Sequence, residues 1–301
     1  MKVTSAGWLS TLLTDSAPDH PDFLAIGHVS KDVHERAFTI GGTVTFAGLL
    51  ACRLGLRTAV VTSYGEELPV REVLGHLQLS TRYSATSTTF ENVYEGSHRH
   101  QHILGVADAI GLSDVPPVWR SAPIVLLGPI AGEIRLDLFT AFSGSLLGLT
   151  PQGMLREWDE TGRVRPAHWE VGDHLLQQVD VLILSEDDLP DRSELDRYVK
   201  LVDIVAVTDS ERGAVVYERG QPRKYPAYPC MPVDPTGAGD TFAAAFLIEL
   251  QRTGSLDSAA HFANAAASFV IEAPGVTGLP DRSQVEARLA AGPVDSLSSQ
   301  R

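Results

Sequence analysis

An α/β fold, with a central, mainly parallel sheet, helices on both faces and a small additional β-sheet, follows from three features of the sequence. Short, near-continuous apolar runs recur at residues 23–27, 58–62, 124–128, 146–150, 181–184, 204–208 and 214–217. Helical patterns separate several of them, and a strand apolar along its whole length must be covered on both faces. Between residues 81 and 104 the rhythm changes to alternating β-formers (Thr86, Thr88, Phe90, Asn92, Tyr94), which predicts a separate small sheet shared with residues 30–40.

The length of 301 residues suits one α/β domain with a small appendage. That domain is expected over 21–292, after an irregular segment at 1–20 and before a frayed tail at 293–301. A net charge of −14 argues against nucleic acid and anionic membranes as partners. No apolar run approaches the roughly 18 residues of a membrane span. The N-terminus lacks the basic and apolar regions of a secretion signal, and two cysteines make no disulfide framework, so a cytoplasmic setting is expected.

The chemistry concentrates in Val233-Asp234-Pro235-Thr236-Gly237-Ala238-Gly239-Asp240-Thr241-Phe242. This stretch reads as a loop entering a helix, whose first amides have no intrahelical partner and sit at the positive end of the helix dipole. Small residues let Gly237, Ala238 and Gly239 bring their N–H groups close to one anion. Asp240 would repel that anion, a cost that makes sense if its carboxylate takes the proton from a hydroxyl attacking a phosphoryl group. A plain helix cap would use similar residues, with Asp240 serving only the dipole.

The full string resembles the C-terminal signature of the PfkB/ribokinase family of sugar kinases, usually D-T-x-G-A-G-D. The resemblance runs from about Phe23 to Val285 and implies a ribokinase-like fold in which the small sheet is a lid over the sugar. No G-x-x-x-x-G-K-[ST] occurs, so a P-loop kinase is excluded. The family reading assigns the other motifs in chain order. Gly27 ends the first strand, and Asp32, five residues on, stands where the family binds sugar hydroxyls. Gly41 and Gly42 match the family's G-G motif. Phe46 stands where ribokinases commonly carry Asn, which moves the expected acceptor from ribose toward a ring with a flat C–H face.

His98, His100 and His102 alternate along one strand and so share a face, on the lid or toward solvent; a metal site is the less favoured reading. Pro151 to Asp159 resembles the Q-G-x-x-R-x-x-D stretch of a branch that includes plant myo-inositol kinases, which nominates Gln152 and Arg156 for acceptor or phosphate contact. Ser185 and Asp188 replace the ends of the family's N-x-x-E, leaving Asp188 to organise Mg²⁺ through water. Thr208, Ser210 and Gly213 fall on T-x-G-x-x-G beside the nucleotide phosphates, with Ser210 in place of the first Gly. Asn264 lies on the helix that borders adenine, and Asp234 and Gly275 mark a monovalent-cation site, K⁺ among the candidates.

The resemblance thus implies an ATP- and Mg²⁺-dependent kinase acting on a hydroxyl of a small sugar or polyol, a cyclitol such as myo-inositol favoured. A nucleoside kinase of the same fold and a non-catalytic sugar sensor are the alternatives. Pairing of two chains through the lid is a further implication.

Overall fold

The computed structural model describes residues 20–34, 37–95 and 98–293. The expectations for residues 1–19 and 294–301 lie outside the described residues. From the N-terminus the chain forms β1 (Phe23–Ile26), β2 (Ser30–His34), β3 (Ala37–Gly41), α1 (Thr43–Arg53), β4 (Thr58–Gly65), α2 (Val70–Leu74) and β5 (Gln78–Ser84). Strands β6 (Thr88–Glu95), β7 (His98–Gly105), β8 (Ile124–Leu127), β9 (Leu146–Leu149), β10 (Arg156–Trp158) and β11 (Val164–Pro166) follow. After α3 (Asp173–Leu176) come β12 (Val181–Ser185), α4 (Arg192–Leu201), β13 (Ile204–Thr208), β14 (Ala214–Glu218), β15 (Gln221–Tyr225), α5 (Ala238–Thr253), α6 (Leu256–Val270) and α7 (Arg282–Ala291).

Nine strands make the main sheet, in the order β15-β14-β13-β12-β9-β8-β1-β4-β5. Its pairs from β5 to β13 are parallel, whereas β13-β14-β15 is an antiparallel meander at one edge. Strand β1 shows why the central strands are apolar throughout. Phe23 and Ala25 enter the core under α1, α5 and α6, while Leu24 and Ile26 enter the core on the opposite face. That second face is covered by α3, α4 and short 3₁₀ turns, with fewer full helices than simple βα alternation predicts.

The smaller sheet has the order β3-β2-β6-β7, with β2 and β6 parallel. Residues 81–84 are not part of it: they pair with Thr62 to Gly65 as the end of β5 in the main sheet. Where β1 runs into β2, His28 is fully buried and its ring bonds Thr88 Oγ1 (2.7 Å) and the Asp108 carbonyl (2.9 Å). The backbone N–H of His28 donates to Glu133 (2.9 Å), so one residue ties the root of the small sheet to the end of the main one. No helix among the described residues is long and apolar enough to cross a membrane.

Phe46 corrects one expectation. Its side chain is 1% exposed and belongs to the main core, so it does not face an acceptor. The ring lies against Gly237, where an added Cβ would come within 2.3 Å of two ring carbons. Phe46 therefore seats the start of α5. Replacing Phe46 by Ala should cost about 3–5 kcal/mol of stability, as for other fully buried aromatics. Denaturant unfolding checks this, and a loss under 1 kcal/mol would contradict the packing role.

Candidate active site

Gly237 has φ 80°, a left-handed conformation that glycine adopts without steric penalty, and α5 begins immediately after it. Of the two glycines that open α5, the left-handed conformation belongs to Gly237. Gly239 has none, and a Cβ built on it would meet only open space. The Ala238 N–H leans back to the Pro235 carbonyl at 3.3 Å. The N–H groups of Gly239 and Asp240, early in a sixteen-residue helix, are the better placed to face an anion.

Asp240 is half-buried, and its carboxyl pKa is pushed up to about 6. Burial is the chief cause; a hydrogen bond with Thr43 opposes it, Asp188 and Asp32 add like charge, and Arg156 counters them. The same influences show that Asp32, Thr43, Arg156, Asp188 and Asp240 gather at one place. Five elements converge there: β2, the start of α1, β10, the turn after β12 and the start of α5. Ligands of open α/β sheets bind at such carboxyl ends of strands.

Each surrounding residue has a structural reason for its position. Asp32 accepts from Ser30 Oγ (3.0 Å) and lies over Gly41, where a Cβ would stand 2.1 Å from its Oδ2. Gly41 is thus glycine to admit the Asp32 carboxylate, and Gly42 is the N-cap residue of α1. Asp188 Oδ1 accepts from Gln152 Nε2 (3.0 Å), with the Arg156 guanidinium 3.7 Å away. Asp188 Oδ2 accepts from the Ser185 N–H (3.2 Å), while Ser185 Oγ accepts from the Asp187 N–H (3.2 Å). The altered N-x-x-E thus closes into a capping box, with the Asp188 carboxylate held at the site. Each oxygen of that carboxylate keeps a lone pair, which fits an outer role toward Mg²⁺-bound water.

Asp234 and Gly275 meet directly: Asp234 accepts from Gly275 N–H (3.0 Å) and from Thr236 N–H (3.0 Å). Burial raises its pKa, but these bonds outweigh burial and hold the carboxyl below its usual range, so it stays charged. Thr208 Oγ1 donates to the Leu184 carbonyl (3.4 Å), and Gly213 closes the turn that Ser210 opens. Ser210 sits at φ 46°, a conformation in which a Cβ costs energy.

Asn264 is also a correction. It is 7% exposed, and its amide nitrogen donates to the Tyr225 and Pro226 carbonyls (3.1 and 3.2 Å). Its donors secure the end of β15 rather than facing a nucleotide base. Among the histidines, the His100 ring bonds the Arg163 guanidinium (3.1 Å), and no metal-binding cluster occurs among the described residues. Two participants escaped the sequence reading. Thr43 follows the double glycine and bonds Asp240. Glu133, 3% exposed, accepts three backbone N–H groups, from His28, Ile130 and Ala131.

A catalytic-type carboxylate at a glycine-opened helix, set beyond the strand ends of a mainly parallel sheet, defines the ribokinase-like class. Residues 159–282 match the family model described as pfkB family carbohydrate kinase, a match over about two fifths of the chain. It is similar to a cytidine kinase of Thermococcus kodakarensis, 26% identical over 78% of this chain and 91% of the relative. In structure it resembles a pyrophosphate-dependent ribokinase-family kinase complexed with a pyrophosphate analog and myo-inositol (TM-score 0.74, 24% identity, 88% of this chain, 99% of that one). It also resembles Arabidopsis thaliana ribokinase complexed with ribose and ATP (TM-score 0.70, 21% identity, 90% of this chain, 99% of that one).

Two measurements test this geometry. The folded pKa of Asp240 lies above the ordinary carboxylate value of 3.8, so the folded state holds its proton more tightly. Stability from this group is therefore present below about pH 4 and is lost as pH rises to about 6. Asp240→Asn should unfold at a higher temperature than the wild type above pH 6, with the difference vanishing near pH 4. Ser210→Gly should add about 0.5–1 kcal/mol, the relieved left-handed strain less the entropy of an added glycine; a destabilised variant would show that the Ser210 side chain has a role.

Proposed function

We propose that the chain is an ATP-dependent kinase that phosphorylates a hydroxyl of a nucleoside. The reaction class rests on one observation, the raised Asp240 carboxyl at the opening of α5, surrounded by Asp32, Asp188 and Arg156. With Phe46 in the core, the aromatic argument for a cyclitol loses its footing, and the cytidine kinase that matches most of the chain's length favours a nucleoside.

Asp32 accepts hydrogen bonds from two adjacent hydroxyls and orients the acceptor. The Asp240 carboxylate takes the proton of the attacking hydroxyl as its oxygen bonds the γ-phosphorus and the bond to the β-phosphate oxygen breaks, releasing ADP. N–H groups at the start of α5 stabilise charge on the transferred group. Arg156 offsets phosphate charge against the acidic surroundings. Mg²⁺, when bound, neutralises phosphate charge, with Asp188 holding it through water. The ionised Asp234 beside Gly275 suits a monovalent cation such as K⁺. Closure of the smaller sheet over the acceptor, as a lid, would exclude water.

A cyclitol acceptor is the second reading, favoured by the placement of Gln152 and Arg156 beside Asp188. One kinetic panel decides between them, with cytidine, adenosine, ribose and myo-inositol as acceptors and ATP or pyrophosphate as donor. Nucleosides with ATP should give the highest kcat/KM; myo-inositol ahead of every nucleoside would overturn the acceptor, and pyrophosphate ahead of ATP the donor. With the best pair, Asp240→Asn should lower kcat about 10²- to 10⁴-fold. The wild-type kcat/KM should rise with pH and level off above about pH 6 as Asp240 ionises. Near-normal turnover by the variant would overturn the mechanism.

A further inference from the structure

The β10-β11 hairpin extends the edge of the smaller sheet. The Ile103 N–H donates to the Gly162 carbonyl (2.8 Å), and His102 bridges Arg163. Within the hairpin Trp158 stands opposite Val164. Directly opposed residues of an antiparallel pair project to the same face, and Val164 packs on the cluster of Phe90, Ile103, Ile130 and Ala131. Alternation puts Arg156 on that face as well, and its guanidinium reaches Asp188 and acts on Asp240. Trp158 therefore projects from the same face of the hairpin as Arg156, two residues or about 7 Å along the strand. It is 40% exposed, whereas Trp119 and Trp169 are 2% and 8% exposed in the second core.

The same face of the smaller sheet carries Asp32, opposite Phe90, which is opposite Ile103. Two residues beyond Phe90, Asn92 stands opposite Gln101, and Gln101 Nε2 donates to Asn92 Oδ1 at 3.4 Å. A hydroxyl-gripping carboxylate, an exposed indole and an amide pair thus share one wall. An indole face attracts a flat π-system, and amides offer donors and acceptors together.

We propose that Trp158 is a stacking platform for the base of a nucleoside acceptor, with the Asn92-Gln101 pair reading the base edge. This rests on the nucleoside reading of the site. The sugar hydroxyls then lie against Asp32 and the reacting hydroxyl at Asp240, with the base beyond Arg156. Trp158 is a specificity residue and takes no part in proton or phosphoryl transfer.

The test is a calorimetric binding titration of the intact protein, with cytidine, adenosine and ribose as probes, and with tryptophan fluorescence followed in the wild type. Both nucleosides should quench the fluorescence. Trp158→Ala should weaken nucleoside binding about five- to a hundredfold, the usual worth of one stacked base, and leave ribose binding unchanged. Trp158→Phe, which keeps a ring, should recover most of the loss, and Asn92→Ala should change the ratio of cytidine to adenosine affinity. Nucleoside binding within twofold of wild type in Trp158→Ala would overturn the proposal. Equal loss for nucleosides and ribose would also overturn it, because that marks a merely structural residue. Trp158-dependent nucleoside binding without phosphotransfer would keep the platform and refute the reaction. Phosphorylation of another acceptor without nucleoside binding would do the reverse.

Discussion

The contact between the Phe46 ring and the Gly237 backbone is the constraint on which the site depends. No Cβ fits at residue 237, so the chain passes flat over the ring in a left-handed conformation and turns into α5. The same ring is fixed from below by the core shared by α1, α5 and the sheet. Helix α1 also carries Thr43, which bonds the Asp240 carboxylate. One helix therefore sets both where α5 starts and which way its acid points. On the proposed mechanism this rigid seating serves the base, since proton transfer falls off steeply with misplacement.

Holding Asp32, Asp188 and Asp240 together works against folding; burial is the chief cause of the raised Asp240 carboxyl, and the like charge of Asp188 and Asp32 adds to it. The surrounding structure limits the strain by giving the other acids partners. Asp188 is capped by Ser185 N–H and Gln152, Asp32 accepts from Ser30, and Arg156 lies among them. On Asp240 burial is the dominant influence, opposed by its hydrogen bond with Thr43. It therefore ionises at about pH 6, which suits the base role proposed for it.

The central strands were legible in the sequence because they are buried on both faces, and such burial leaves an unbroken apolar run. Strand direction was not, since an apolar run reads alike either way; β14 looked like another parallel strand yet turns back as a hairpin. The loop entering a helix at 233–242 was legible as structure, because glycines ahead of an apolar helical run mark a helix start; the work of Asp240 was not, since a plain cap uses similar residues. Phe46 was misread for a local reason. A position four residues past a double glycine is consistent with facing either the ligand or the core, and only the packing of α5 against α1 settles it. Asn264 was misread likewise, because a buried amide that secures two carbonyls looks the same in sequence as one that reads a base.

The departures from family motifs show how local physics absorbs substitution. Ser185 and Asp188 differ from the usual pair together, and together they close a capping box that a Ser and an acid three residues apart form readily. The Asp188 carboxylate is held by that turn, through the Ser185 N–H, beside Gln152 and Arg156. Ser210 has no such partner and keeps the left-handed turn at a cost in strain. The aromatic group moves by the same logic. A ring at residue 46 is committed to the core, whereas the ring at residue 158 sits on a hairpin that joins the smaller sheet through its edge. An edge hairpin can change sequence without disturbing the nine-stranded sheet, so on the proposed reading an acceptor-facing ring placed there is independent of the residues around Asp240.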